Sequence, residues 1–138
     1  MSTFSDLLHA KGYLILDGAM GTQLFDAGLT AGDAPELWNL EHPDRVSDIH
    51  RSYVAAGSDI VLTNSFGGNK FMLERYGSGD RLFELNKLAA EHARAVAPEG
   101  KYVAGSIGPT GEFIEPLGTA TEDELYETFS EMSKAFEA

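Results

Sequence analysis

The sequence predicts an α/β fold built on a parallel sheet, and three observations carry that reading. Three short runs are continuously apolar and rich in branched residues: Tyr13-Leu14-Ile15-Leu16, Asp59-Ile60-Val61-Leu62-Thr63 and Lys101-Tyr102-Val103-Ala104-Gly105. That is the pattern of strands covered on both faces. Segments of helical periodicity separate and follow them, and the resulting order β-α-β-α-β-α argues for right-handed crossovers. Each run also ends on a polar residue that leads into a glycine-containing loop: "DGAMGT", "NSFGGN" and "SIGPTGE".

Taken in order, the first strand stops at Asp17, and short helical pieces are expected between residues 20 and 40. Trp38, in "APELWN", reads as a packing anchor on one of them. Pro43 suits a first helical position because its missing N–H would be unsatisfied there in any case. Val46, Ile49 and Tyr53 follow at helical spacing with Val54 beside them, and Gly57 is the expected stop. The second strand ends at Asn64. A helix with the stripe Leu82, Leu85, Ala89 and Val96 comes next, with Pro98 just beyond its end. The third strand ends at Ser106. The last helix opens on "TEDELYE", where Thr121 and Glu124 can form a capping box and the carboxylates favour the helix dipole. Its stripe is Leu125, Phe129, Met132 and Phe136. These apolar positions are expected to form the core. The strands share no residue-level repeat, which excludes a solenoid signature.

Ten Lys and Arg against 22 Asp and Glu give a net charge of −12. That balance disfavours non-specific binding to nucleic acid or anionic membranes. Apolar residues are 43% and charged residues 23%, as in an ordinary globular domain. The length of 138 residues fits one domain. No window reaches the eighteen or so apolar residues of a membrane span. The opening "MSTFSDLLHAKGYLILDG" lacks a basic segment followed by a long apolar one, so a cytoplasmic location is expected rather than a secretory leader. There is no cysteine, hence no disulfide frame and no thiolate metal site in this chain. His9, His42, His50 and His92 show no recognised metal spacing and are expected at surface or satisfied core positions. The G-x-S-x-G nucleophile motif is absent. The glycine loops match neither the dinucleotide nor the P-loop fingerprint, so turn formation is their expected role.

In parallel α/β folds, ligands gather at the carboxyl ends of the strands. Asp17, Asn64 and Ser106 are therefore expected to face one shared mouth. Two readings of Asp17 stand side by side. It can face a ligand such as an ammonium group, or it can cap the turn that follows it.

Three ordered blocks, "ILDGAMGTQL", "APELWNLEHPDRVSDIHRSYVAAGSDIVLTNSFGGN" and "VAGSIGPTGE", resemble the start of the homocysteine S-methyltransferase family. That family includes betaine–homocysteine methyltransferase and the homocysteine module of cobalamin-dependent methionine synthase. The chain looks most similar to bacterial betaine-type members. The resemblance implies a TIM (β/α)8 barrel, of which residues 1–138 would be the N-terminal part, three βα units incomplete as a barrel. The implied reaction moves a methyl group, from betaine or another donor, to the thiolate of homocysteine and forms methionine. By the same resemblance Asp17 holds the amino acid end of homocysteine. Gly18, Ala19, Met20 and Gly21 bring backbone N–H groups to its carboxylate, Asn64 and Phe66 line the mouth, and Glu112 is a further candidate. The family uses zinc held by cysteines of late strands, so zinc is expected in a full-length enzyme and not on this chain. The chain alone is expected to be inactive, and to associate with itself or require the missing half of the barrel. Two other readings remain open: a non-catalytic half-barrel that binds a ligand without turnover, and a barrel lyase or aldolase. The latter would need a strand-end lysine, whereas Lys101 opens its strand at the opposite end.

Overall fold

The computed structural model describes residues 3–138. Its elements are α1 (Phe4–Lys11), α2 (Gly21–Asp26), α3 (Trp38–Glu41), α4 (Pro43–Ala56), β1 (Ile60–Leu62), α5 (Lys70–Glu74), α6 (Leu82–Val96), β2 (Tyr102–Ala104) and α7 (Glu122–Glu137). Single 3-10 turns at Pro35–Leu37 and Gly79–Arg81 lead into α3 and α6. The architecture is α/β. Strands β1 and β2 pair in parallel, with Ile60 opposite Tyr102, Val61 opposite Val103 and Leu62 opposite Ala104.

The first predicted strand is reduced to one parallel bridge between Leu16 and Ile60. The Asp59 and Ile60 N–H groups donate to the Ile15 carbonyl at 2.7 and 3.1 Å, and the Asp17 N–H donates to the Ile60 carbonyl at 2.9 Å. Burial on both faces does not hold here: Tyr13, Ile15 and Leu16 are 63%, 48% and 51% exposed. The run lies at the edge of the sheet, with β1 as its only strand neighbour among the described residues. An apolar run records a preference for burial, and a neighbouring element must supply it.

The helices follow local chemistry. Pro43 opens α4, and Gly57 closes it in the left-handed conformation at φ 106°. Thr121 and Glu124 form the expected capping box on α7. A similar box, Thr3 with Asp6, starts α1, an element the apolar pattern does not announce because none of its side chains is buried. On α7 the buried residues are Thr128, Met132 and Ala135, so Leu125, Phe129 and Phe136 flank the buried line and are half-buried.

Three apolar clusters hold these elements together. Leu24, Leu29, Trp38, Val46 and Ile49 pack α2 and α3 against α4, with Tyr53 at the margin. Trp38 is 4% exposed, and the Arg45 guanidinium lies 5.2 Å over its ring. Leu73, Leu82, Leu85 and Met132 join α5, α6 and α7. Val61, Ala93 and Ala97 seat α6 on the sheet. Each fully buried leucine contributes about 1.5–3 kcal/mol relative to an exposed one.

At the amino ends of the strands, Asp59 is 3% exposed and receives Lys11 Nζ at 2.7 Å and Lys101 Nζ at 3.2 Å. The Ile15 N–H donates to the same carboxylate at 3.1 Å. Hydrogen bonds from Lys11, Ile15 and Lys101 hold Asp59 down to a pKa of about 2. Lys101 thus serves the end of the sheet opposite the mouth.

Of the four histidines, one departs from expectation. His50 is fully buried on α4, and neither ring nitrogen has a hydrogen-bond partner. Burial, with repulsion from His92 second, lowers its pKa to about 4. His92 Nε2 pairs with the Asn39 carbonyl at 2.6 Å, His42 packs edge-on to Trp38, and His9 Nδ1 reaches the Ser5 carbonyl at 2.7 Å.

Candidate binding site at the carboxyl ends of the strands

A cavity of about 320 Å³ opens where the strands end. Asp17, Asn64 and Ser106 all line it, so the three strand-end residues share one mouth. Gly18, Met20, Gly21 and Phe66 are also in its wall. Ala19 is not: its carbonyl accepts the Tyr53 hydroxyl at 2.7 Å. Glu112 lies outside the lining too, in an ion pair with Arg75 at 3.0 Å.

Asp17 is held from the sheet. Its Oδ2 accepts the Leu62 N–H at 2.8 Å, while Oδ1 is buried with no partner. Burial raises its pKa, and the Leu62 hydrogen bond opposes that shift. The loop after it turns tightly against α4. A Cβ on Gly18 would stand 3.0 Å from the Tyr53 ring, which accounts for glycine at this position. Gly21, by contrast, faces open space.

The second loop is pinned on several sides. Asn64 Nδ2 donates to the Pro35 carbonyl at 2.8 Å and to Asn39 Oδ1 at 3.1 Å, and Asn39 Nδ2 donates to the Asn64 carbonyl at 2.8 Å. Ser65 Oγ lies 2.6 Å from Thr63 Oγ1 and donates to the Ser106 carbonyl at 2.8 Å. The Ser106 N–H donates to Thr63 Oγ1 at 2.8 Å, so the loops after β1 and β2 are tied together. Asn86 Nδ2 reaches the Gly68 carbonyl from α6 at 2.8 Å. A wall fixed by so many bonds presents its groups with little reorganisation.

Sequence reasoning missed Glu36. It lies in the cavity wall at 5% exposure and accepts the Gly67 N–H at 2.7 Å. Burial raises its pKa, opposed by backbone hydrogen bonds from its own N–H and from Gly67. Nothing in the local pattern of "APELWN" marks this carboxylate as buried. Its burial arises because the Pro35–Asn39 stretch folds back on the loop after β1. A larger opening of about 570 Å³ lies beside β2, walled mainly by α6 and α7. It gathers none of the strand-end residues Asp17, Asn64 and Ser106.

Among the described residues, no group of three or more His, Asp or Glu is arranged to hold a metal ion, and the chain has no cysteine. A zinc ion therefore does not fit the residues present here. No helix among the described residues is long and apolar enough to cross a membrane.

The chain is similar to known proteins along most of its length. The family model for homocysteine S-methyltransferase matches residues 14–138. The methionine synthases of Mycobacterium leprae and Mycobacterium tuberculosis are 41% and 40% identical, each over 83% of this chain. The chain spans about a tenth of their length, 10% and 11%. Both bear the name methionine synthase, whereas the sequence resemblance pointed to betaine-type members. In fold, the chain is similar to the crystal structure of the homocysteine methyltransferase MmuM from Escherichia coli in its metallated form. The TM-score is 0.74 at 23% identity, over 94% of this chain and 51% of that one. The oxidized form of the same enzyme gives 0.74 at 24% identity.

Proposed function

The chain belongs to the homocysteine S-methyltransferase family, and from that premise we propose that it forms the homocysteine-binding N-terminal part of a TIM-barrel methyltransferase. The observation that carries the reading is the cavity at the strand ends, lined by Asp17 and by no basic side chain, with Asp17 Oδ1 buried and unpartnered. A carboxylate so placed suits the ammonium group of an amino acid. The Gly18–Gly21 turn supplies backbone N–H groups near it, as a substrate carboxylate requires. Asn64 and Phe66 line the same cavity. Glu112 keeps the role the family resemblance gives it only if substrate binding rearranges its contact with Arg75; Tyr53 engages the Ala19 carbonyl and leaves the N–H role of Ala19 untouched.

In this reading the chain binds and orients, and residues outside these 138 supply the rest. Zinc, which the family uses to hold homocysteine sulfur as the thiolate, belongs with ligands elsewhere, because this chain offers none. The chain alone is inactive. The methyl donor, betaine or another, is selected outside this cavity. A cytoplasmic setting goes with such small-molecule chemistry. The exposed edge at Ile15 and Leu16 is covered by the remaining strands of the barrel or, in their absence, by a second copy. The test is a calorimetric titration of L-homocysteine into the full-length protein, followed by an assay for methionine formation. Absence of both binding and turnover would overturn the proposal.

A further inference from the structure

The geometry points to Glu36 as a specificity-determining residue, the second carboxyl of a two-carboxyl seat that selects an amino-bearing ligand in the strand-end cavity. This rests on the homocysteine reading above and adds to it a residue outside the strand ends.

Three observations converge on Glu36. First, it shares the cavity wall with Asp17, and no lysine, arginine or histidine lines that cavity. Neither carboxyl has a cationic partner among the described residues, although Glu36 is 95% buried, its exposure being 5%. A buried carboxylate without a countercharge is costly, and an incoming ammonium relieves that cost. Second, both carboxyls are fixed by backbone N–H groups of β1 and the loop after it: Asp17 by Leu62 at 2.8 Å and Glu36 by Gly67 at 2.7 Å. An ammonium has three donors, and two oriented carboxyls can accept more than one of them. Third, the position is crowded by design of the loop. A Cβ on Gly67 would stand 3.0 Å from Glu36 Oε1, so glycine there leaves the carboxyl its place. The burial that raises the pKa of both groups is consistent with a seat completed by a cation.

The experiment compares L-homocysteine with 4-mercaptobutanoate, which lacks only the amino group, by titration into the full-length protein and its Glu36→Gln variant. Glutamine keeps an oxygen for the Gly67 N–H and removes the charge. The expected result is that Glu36→Gln weakens homocysteine about tenfold, the scale of one hydrogen bond to a charged group. Binding of 4-mercaptobutanoate should change little, so the preference for the amino-bearing ligand shrinks. An unchanged preference, or equal loss of both ligands, would overturn the assignment and leave Glu36 as a loop anchor. If the wild-type protein binds neither ligand, the homocysteine reading itself fails. Glu36→Asp gives the same comparison with the charge retained and the carboxyl drawn back by one methylene. It should also reduce the preference, and keeping the wild-type preference would contradict the seat whether or not Glu36→Gln folds.

Discussion

Asp17 Oδ2 accepts the Leu62 N–H at 2.8 Å, so one carboxylate joins the end of the first apolar run to β1 while its other oxygen remains buried and unpartnered. This bond adds a side-chain tie to the backbone hydrogen bonds that Ile15 and Asp17 make with Asp59 and Ile60. Asp17→Ala leaves the Leu62 N–H without its acceptor. We expect a loss of about 1–3 kcal/mol in unfolding free energy, read from denaturant midpoints, whereas Asp17→Asn should lose much less.

Gly68 is the tightest point of the loop after β1. A Cβ there would lie 2.9 Å from the Ser65 carbonyl oxygen and 3.0 Å from Asn86 Nδ2. Backbone cannot yield as a side-chain tip does. Gly68→Ala should therefore destabilise the protein by about 1–3 kcal/mol. A denaturant midpoint equal to the wild type would show that the loop is looser than the bonds from Asn86 and Asn39 indicate.

His50 predicts an acid limb. Its folded pKa, about 4, lies below the ordinary 6.5, so the unfolded chain takes up a proton first. The stabilising effect of neutral His50 is complete above pH 6.5 and is lost as pH falls from there toward 4. The full effect is on the order of 3 kcal/mol. His50→Leu removes the titrating ring and should flatten melting temperature against pH in that window. A persisting slope would assign the acid sensitivity to other groups.

Asp59 acts at a lower pH. Its folded pKa, about 2, lies below the ordinary 3.8, so its contribution is present above about pH 4 and fades as pH falls through 2. Asp59→Ala removes the acceptor for both Lys11 and Lys101. Limited proteolysis should then cut near Gly12 earlier than in the wild type, because α1 loses its main polar tie to the sheet. Equal cutting rates would mean that Phe4 against Tyr102 suffices to hold the helix.

The fold was legible where local chemistry decides it. Pro43 and Gly57 bound α4, and Thr121 with Glu124 starts α7, because caps act within a few residues. The strands were legible in position but not in extent. Residues 13–16 look like a buried strand and form one bridge, since pairing depends on neighbours that a local pattern does not contain. At the site, Asp17, Asn64 and Ser106 were brought together by one topological rule about strand ends. Glu36 and His50 were hidden for the opposite reason. Both are polar residues whose burial comes from distant packing, Glu36 against Gly67 and His50 within the packing of α4.

The most direct test of the central claim is the affinity of the full-length protein for L-homocysteine with and without the Asp17 charge. Asp17→Asn keeps an oxygen for the Leu62 N–H and so preserves the loop. The account predicts at least about tenfold weaker binding in the variant, with a melting temperature close to the wild type. Equal affinity in the two proteins would contradict it and would return Asp17 to the role of a turn cap.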